Sequence, residues 1–424
     1  MFENSKSPAM SYIESFSHSG KPVSDLSRIK RLLGALGDPQ DQLRFIHIAG
    51  TNGKGSAAQM FAECLMAQGY VTGLFTSPYI LEYSDRIRVQ GENIKAEDLE
   101  EHTRTVKAGV EDLGEEGFSQ FEITQCIAFL HFVKCGCDIV VLETGLGVLL
   151  DCTNAVTTTQ LSVITSVDLD HTAILGDTIR EIAAQKAGII KEGVPVVLSA
   201  ANPMEAVRVV RDKAAQCRSQ LVIPDLRNLQ LYECTVFGSS FDYKGRRYSV
   251  SMGGAHQVLN AMTVIAGLSL IRERLPVSYE NVAKGLERAA IHGRVEVLSR
   301  EPLTILDGAH NPDGMRALAG VLKHCEVMPV RAVIGMCKDK NISDAVKSLI
   351  PYVEKFVTVE GFCDRAEDKD TLASFINDAG GNAAAGEDIM EEIRKLRGEN
   401  PKGMTLICGS LFLVSYVLGE EDLS

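Results

Sequence analysis

Short β-branched runs alternate along the chain with stretches of helical period, the pattern of layered α/β structure. The runs predict strands over Arg44–Ala49, Asp138–Leu142, Leu161–Ser166 and Val194–Ser199, then over Leu303–Leu306, Val330–Ile334, Lys355–Val359 and Met404–Cys408. Several are apolar at nearly every position, as parallel strands covered on both faces are. Between them, Ala57, Met60, Phe61, Cys64 and Leu65 recur at i, i+3, i+4, i+7 and i+8, and Ile123, Cys126, Ile127, Leu130 and Val133 follow a similar spacing, so both stretches predict amphipathic helices. A third helix is expected over Thr178–Lys191, capped at Asp177, with Ile179, Ile182, Ala183, Ala187 and Ile190 facing inward.

The stretch Glu205–Met252 reads differently. It is richer in basic and polar residues and ends in a hairpin-like alternation over Phe241–Val250 around Lys244-Gly245, which predicts a peripheral antiparallel element. A fresh strand-turn-helix series begins near Val295–Pro302. For a chain of 424 residues this gives two domains, a large one over 1–296 and a smaller one over 297–424.

Charge narrows the range of partners. Lys plus Arg number 43 against 56 Asp plus Glu, a formal balance of −13, so there is no global basic field to attract nucleic acid or anionic lipid. Any anionic ligand must be held by local devices. No apolar run approaches the roughly 18 residues of a membrane span and Met1–Met10 carries no apolar stretch of the secretory kind, so a cytoplasmic location is expected. The eleven Cys include no Cys-x-x-Cys unit and read as reduced, mostly buried thiols.

The strongest local device is Gly50-Thr51-Asn52-Gly53-Lys54-Gly55-Ser56, which follows an apolar strand and opens a helix. Glycines let backbone N–H groups converge on phosphate oxygens, the helix N-terminus adds a positive dipole end, Lys54 is a point charge and the Ser56 hydroxyl suits Mg²⁺. The pattern departs from a strict G-x-x-x-x-G-K-[ST] because Gly55 separates Lys54 from Ser56. Glu143, directly after a strand, is placed as a hard oxygen ligand for Mg²⁺, and Ser166-Val167-Asp168-Leu169-Asp170-His171 adds an imidazole and two carboxylates after the next strand. Three strand ends thus carry Ser56, Glu143 and His171 toward one edge of one sheet.

Lys186 falls on the apolar face of the Thr178–Lys191 helix. Either it reaches the surface or pairs with Asp168 or Asp170, or it is a desolvated amine available for covalent chemistry such as carbamate formation. In the second domain, Asp307-Gly308-Ala309-His310-Asn311-Pro312-Asp313-Gly314 makes a polar strand-to-helix turn, and Gly335–Lys340 and Cys408-Gly409-Ser410 follow later strands.

Taken in order, HIAGTNGKGS at 47–56, GLFTSPYI at 73–80, DRIRVQGE at 85–92, ETGLG…LDCTN at 143–154, LDHTAILGDTIREIAAQKAGIIK at 169–191, GAHQVLNA at 254–261, GRVE at 293–296, DGAHNPDG at 307–314 and GMCKDK at 335–340 resemble the folylpolyglutamate synthase and dihydrofolate synthase family of the Mur ligase superfamily. The resemblance implies an α/β fold with a P-loop ATPase domain of mainly parallel sheet and a smaller C-terminal Rossmann-like α/β domain. It implies an ATP-dependent ligase that adds L-glutamate to a folate carboxylate through an acyl phosphate, the folate being made from dihydropteroate in the bifunctional members. By the same resemblance Ser77, Glu143 and His171 are magnesium ligands, with two Mg²⁺ sites expected, and Lys186 is carbamylated. Gly50 to Ser56, Asn260, Arg294 and Asp307 are expected to contact ATP, His310 and Ser410 to lie near the nucleotide and the incoming glutamate, and Lys54, Lys186 and His310 to serve catalysis. The expected partners are small molecules alone, with no nucleic acid or membrane, and the expected state is a monomer. Where the family commonly has Gly-Leu-Gly-Gly-Arg-Leu-Asp, this chain has Gly145-Leu146-Gly147-Val148-Leu149-Leu150-Asp151.

Overall fold

The computed structural model describes residues 7–17, 21, 24–145, 147–170 and 175–420. Contacts divide the chain into two compact units, 1–224 with 262–285 and 225–261 with 286–424; of the three points where the chain passes from one to the other, those near 261 and 285 fall inside helices.

The first unit is built on an eight-stranded sheet of β1 (Phe45–Ala49), β2 (Thr72–Phe75), β3 (Ile87–Val89), β4 (Glu92–Asn93), β5 (Ile139–Glu143), β6 (Thr159–Ile164), β7 (Val196–Leu198) and β8 (Leu221–Val222). Their order is β4-β3-β2-β5-β1-β6-β7-β8, parallel from β2 to β8, with β3 and β4 antiparallel at one edge. β1 sits centrally, Ile46 opposite Val141 of β5 and Leu161 of β6. Every residue of β1 and β5 is buried, as the apolar runs predict. One face packs Phe45, Phe75, Val140 and Leu142 against Ile123, Ile127 and Phe129 of the helix Gln120–Lys134. Elsewhere Ile164, Val196 and Leu198 meet Ile182, Ala183 and Ala187.

The helix expected over Thr178–Lys191 is real, but it spans Ile179–Lys186 and continues as a 3₁₀ turn over Ala187–Ile189. Its cap is Thr178 rather than Asp177: the Thr178 hydroxyl accepts from the Glu181 N–H while the Glu181 carboxylate accepts from the Thr178 N–H, a reciprocal box that Asp177 cannot form.

The expected antiparallel element is also divided. Met204–Gln216 is a helix of the first unit, and only the part beyond it forms a three-stranded antiparallel sheet, β9 (Leu229–Thr235), β10 (Gly238–Tyr243) and β11 (Arg246–Val250). β10 and β11 pair across Lys244 and Gly245, both at positive φ (51° and 73°), the two-residue turn that suits the twist of a hairpin.

The second unit carries a six-stranded sheet of β12 (Glu296–Arg300), β13 (Leu303–Asp307), β14 (Val330–Ile334), β15 (Lys355–Thr358), β16 (Ala383–Ala385) and β17 (Met404–Cys408), ordered β12-β13-β17-β14-β15-β16. All but β12 are parallel to their neighbours. Its core joins Ile305, Ala332, Phe356 and Leu406 to Met315, Leu318 and Leu322 of the helix Pro312–Lys323. No helix among the described residues is long and apolar enough to cross a membrane.

Candidate active site

In the first unit the glycine-rich loop joins β1 to the helix Lys54–Gln68 at the carboxyl end of the sheet. Gly50 passes so close to β6 that a Cβ there would lie 1.8 Å from Thr165 Oγ1, and Gly53, at φ 82°, holds the left-handed conformation from which the helix starts. The loop is tied to the segment after β6. The Thr51 N–H donates to the Ser166 carbonyl (2.6 Å), the Asn52 N–H to Ser166 Oγ (2.9 Å), and the Thr165 hydroxyl to the Asn52 carbonyl (2.7 Å). Asn202 in turn braces that segment, accepting from the Val167 N–H and donating to the Thr165 carbonyl. Thr165 and Asn202 carry no motif of their own, and Ser166 stands in the Ser166–His171 cluster without a role there, so their supporting role emerges only in three dimensions.

Lys54 donates to the Thr51 carbonyl and lies 4.0 Å from the Glu143 carboxylate. Glu143 ends β5 with Ile48 of β1 beside it, is buried, and accepts from the Ser77 N–H at 3.2 Å. Ser56 is buried in the first turn of the loop's helix. The structure therefore gathers Lys54, Glu143 and Ser77, and sets Ser56 on the adjoining helix. His171 lies outside the described residues. The buried Glu143 carboxylate is a hard-oxygen group of the kind that fits Mg²⁺.

Lys186 is 4% exposed, on the same helix face as Ile182 and Ala183. Burial, reinforced by the Lys54 charge and opposed by Asp170, lowers its amine to about 7. An appreciable neutral fraction at physiological pH follows. Of the alternatives open to the sequence, surface exposure is excluded.

Two arginines of the DRIRV segment have no role in the sequence reading. Arg86 packs over the Tyr79 and Tyr83 rings, its charge reaches Glu143, and burial lowers both it and Arg88. The Nε atoms of both are buried without a hydrogen-bond partner. The signal was the closely spaced arginine pair itself: Arg86 ends the 3₁₀ turn Tyr83–Arg86 and Arg88 lies in β3 directly after it.

The second unit builds its own constellation at the end of β13. Asp307 is buried and accepts from the Val295 and Ala309 N–H groups, each at 2.8 Å, which fixes the turn. Burial raises its carboxyl and Arg294 works against that rise. His310 Nδ1 donates to the Gly308 carbonyl at 2.8 Å, which sets its tautomer, and Asn311 caps the following helix by accepting from the Gly314 N–H. Asn260 is buried and donates to Gln257 Oε1. Ser410 is buried beyond β17, where its hydroxyl accepts from the Phe412 N–H and lies 3.7 Å from Cys337 Sγ. His256, unassigned by the sequence reading, faces the Arg294 charge and is lowered to about 4, first by burial.

Comparison with known proteins agrees with this geometry. Residues 48–268 match the Mur ligase middle domain and residues 293–411 the Mur ligase glutamate ligase domain. The dihydrofolate synthase/folylpolyglutamate synthase of Bacillus subtilis is 36% identical over 408 residues, covering 92% of this chain and 93% of its own. Two similar solved structures are the Mycobacterium tuberculosis folylpolyglutamate synthase complexed with ADP and AMPPCP (TM-score 0.85, 26% identity, 94% of this chain and 96% of that one) and Escherichia coli FolC in complex with DHPP and ADP (TM-score 0.84, 28% identity, 97% of each). With these matches spanning nearly its whole length, the chain belongs to the folylpolyglutamate synthase/dihydrofolate synthase family of the Mur ligase superfamily.

Proposed function

We propose that the protein is an ATP-dependent ligase that adds L-glutamate to a folate carboxylate, acting on tetrahydrofolate and also converting dihydropteroate to dihydrofolate. The observation that carries this reading is the glycine-rich loop with Lys54 placed 4.0 Å from the buried Glu143 in a chain of this family. A carboxylate and an amine do not condense at neutral pH without activation. Moving the γ-phosphoryl of ATP to the folate carboxylate gives an acyl phosphate and ADP; the glutamate amine attacks the acyl carbon, the C–O bond to phosphate breaks, and phosphate leaves with the amide formed.

Phosphoryl transfer between anions asks for positioning and charge neutralisation more than for a protein nucleophile. Gly50 to Ser56 would cradle the phosphates by backbone N–H groups, and Lys54 would meet the transferred charge. Ser77, Glu143 and His171 would hold Mg²⁺, which when bound neutralises phosphate charge. The Lys186 amine, lowered to about 7, can take up CO₂ with loss of a proton, and the resulting carbamate is an anion suited to a second Mg²⁺. Asn260, Arg294 and Asp307 are proposed to contact ATP, and His310 and Ser410 to sit near the nucleotide and the glutamate. Residues 1–296 would form the ATP-binding domain and 297–424 the glutamate-ligase domain of a monomeric cytoplasmic enzyme with small-molecule partners only.

The test is phosphate release with ATP, Mg²⁺, L-glutamate and one acceptor at a time. Stimulation by tetrahydrofolate and dihydropteroate supports the reading. Stimulation only by another carboxylate, such as a cell-wall precursor, moves the protein to a different Mur-type reaction.

A further inference from the structure

The helices Ala96–Leu113 and Gln120–Lys134 pack on each other as consecutive antiparallel partners, and where they meet each presents residues at i,i+4 spacing. Asp98 and His102 come from the first; His131 and Cys135, the residue ending the second, face them. One ligating atom from each of Asp98, His102 and His131 lies within 4.8 Å of the others. Both histidines are buried, at 5% and 4% exposure, with ring centroids 5.6 Å apart. His102 Nε2 is buried with no hydrogen-bond partner, an orphan lone pair or N–H on a residue of the group. Cys135 Sγ flanks the cluster 3.7 Å from His131 Nε2.

We propose that Asp98, His102 and His131 bind a divalent transition-metal ion, zinc by its ligand chemistry. Two imidazoles and one carboxylate form a familiar zinc set, with the fourth position open. The charges suit a dication: Lys134 donates to Asp98 Oδ1 and to Glu101 at 2.7 Å each, so the two carboxylates exceed the one ammonium by a single negative charge while the second oxygen of Asp98 remains for the ion. Burial keeps both rings in the neutral form that ligates metal, His131 being lowered to about 4. A tetrahedral ion with bonds of about 2.0 Å holds its ligands roughly 3.3 Å apart, so binding draws the three side chains inward by at most about an ångström. The second helix leads into the amino end of β5, whereas Glu143 closes its carboxyl end, which places the site a strand length, about 15 Å, from the phosphate loop. The ion therefore clamps two helices and takes no part in ligation.

Full-length protein is stripped with chelator, held in excess Mg²⁺, and titrated with Co²⁺ and then Zn²⁺. One equivalent of Co²⁺ is expected to give the visible d–d absorption of a tetrahedral site, to be displaced by Zn²⁺, and to raise the unfolding temperature. His131→Gln and Asp98→Asn are expected to weaken Zn²⁺ binding at least tenfold with turnover unchanged. Binding of equal strength in His102→Gln/His131→Gln overturns the proposal, as does the absence of Co²⁺ absorption in the wild type. Should the double variant fail to fold, the wild type's imidazole ¹⁵N resonances decide: Zn²⁺ must shift those of His102 and His131, and unshifted signals refute the site.

Discussion

At the scale of a single residue, Lys186 is a cation placed where a cation is disfavoured. Its amine, lowered to about 7 mainly by burial, is protonated in the unfolded chain up to its ordinary value of about 10.4. Below pH 7 both states carry the proton and the native state bears the whole penalty. Between about 7 and 10.4 the native amine is neutral while the unfolded chain still binds the proton, so stability rises with pH by up to about 1.4 kcal/mol per unit. In buffer free of bicarbonate and Mg²⁺, Lys186→Met is accordingly more stable than the wild type at pH 6.5, and the gap in urea midpoint narrows toward pH 10. Lys186→Ala is expected to abolish turnover with its circular dichroism unchanged. Wild-type turnover in that variant removes the carbamate from the proposed chemistry. The inward position of this lysine was legible in the sequence, because helical period alone put it among Ile182, Ala183 and Ala187. Its neighbour Lys54 was not, because the two come from segments more than a hundred residues apart.

At the scale of an element, the helix Gln120–Lys134 depends on one buried carboxylate. Glu122 accepts from the Ser119 N–H and hydroxyl (2.8 and 2.9 Å) and pairs with Arg28 in two-pronged fashion at 3.0 and 2.6 Å. Ser119 returns the favour by accepting from the Glu122 N–H, closing a capping box. Removing the serine leaves the ion pair, whereas removing the glutamate leaves Arg28 buried and unpaired. Ser119→Ala is therefore expected to lose about 1 kcal/mol, and Glu122→Ala about 3–5 kcal/mol, by urea denaturation. Equal losses would mean that the cap, rather than the ion pair, secures the helix. Ser119-x-x-Glu122 is a signature a sequence can show, but Arg28 joins it from another helix, and no local pattern announces such a pairing. The same division separates the strands. β1, β5, β6, β13, β14, β15 and β17 are interior and apolar and were legible within two residues of their observed ends. β3, β4 and β16 were not, since they are two or three residues long and lie at or near sheet edges, where burial does not impose a pattern. Val148 is a further departure: it holds φ 38° at a position where the family commonly has Gly, and its β-branched side chain is kept there by burial beside Leu175 and Ile182.

At the scale of the molecule, two opposing electrostatic effects meet as pH falls. A chain of net charge −13 loses self-repulsion on acidification, which favours the folded state. Buried neutral histidines act the other way. His47 is fully buried on β1; its Nε2–H donates to Thr153 Oγ1, whose own hydroxyl is committed to Asp151, so its tautomer is fixed and Nδ1 is left without a partner. Protonation there would bury an unbonded N–H, and burial lowers the ring to about 3. His102 and His131 are lowered too, and His256, half-buried in the other unit, contributes less. Each ring is neutral in the native state and protonated when unfolded below the ordinary value near 6.5. Stability is thus fully present above that value and falls with pH down to the native values, at up to about 1.4 kcal/mol per unit for each ring. Surface repulsion is screened beyond about 8 Å at physiological salt, so the buried rings win. Chelator-treated protein is expected to show a lower urea midpoint at pH 5.5 than at pH 7.0, more so for the first unit than for the second, and His47→Asn should flatten that dependence. A midpoint that holds or rises on acidification would show that net charge, and not the buried imidazoles, sets the acid limit of this fold.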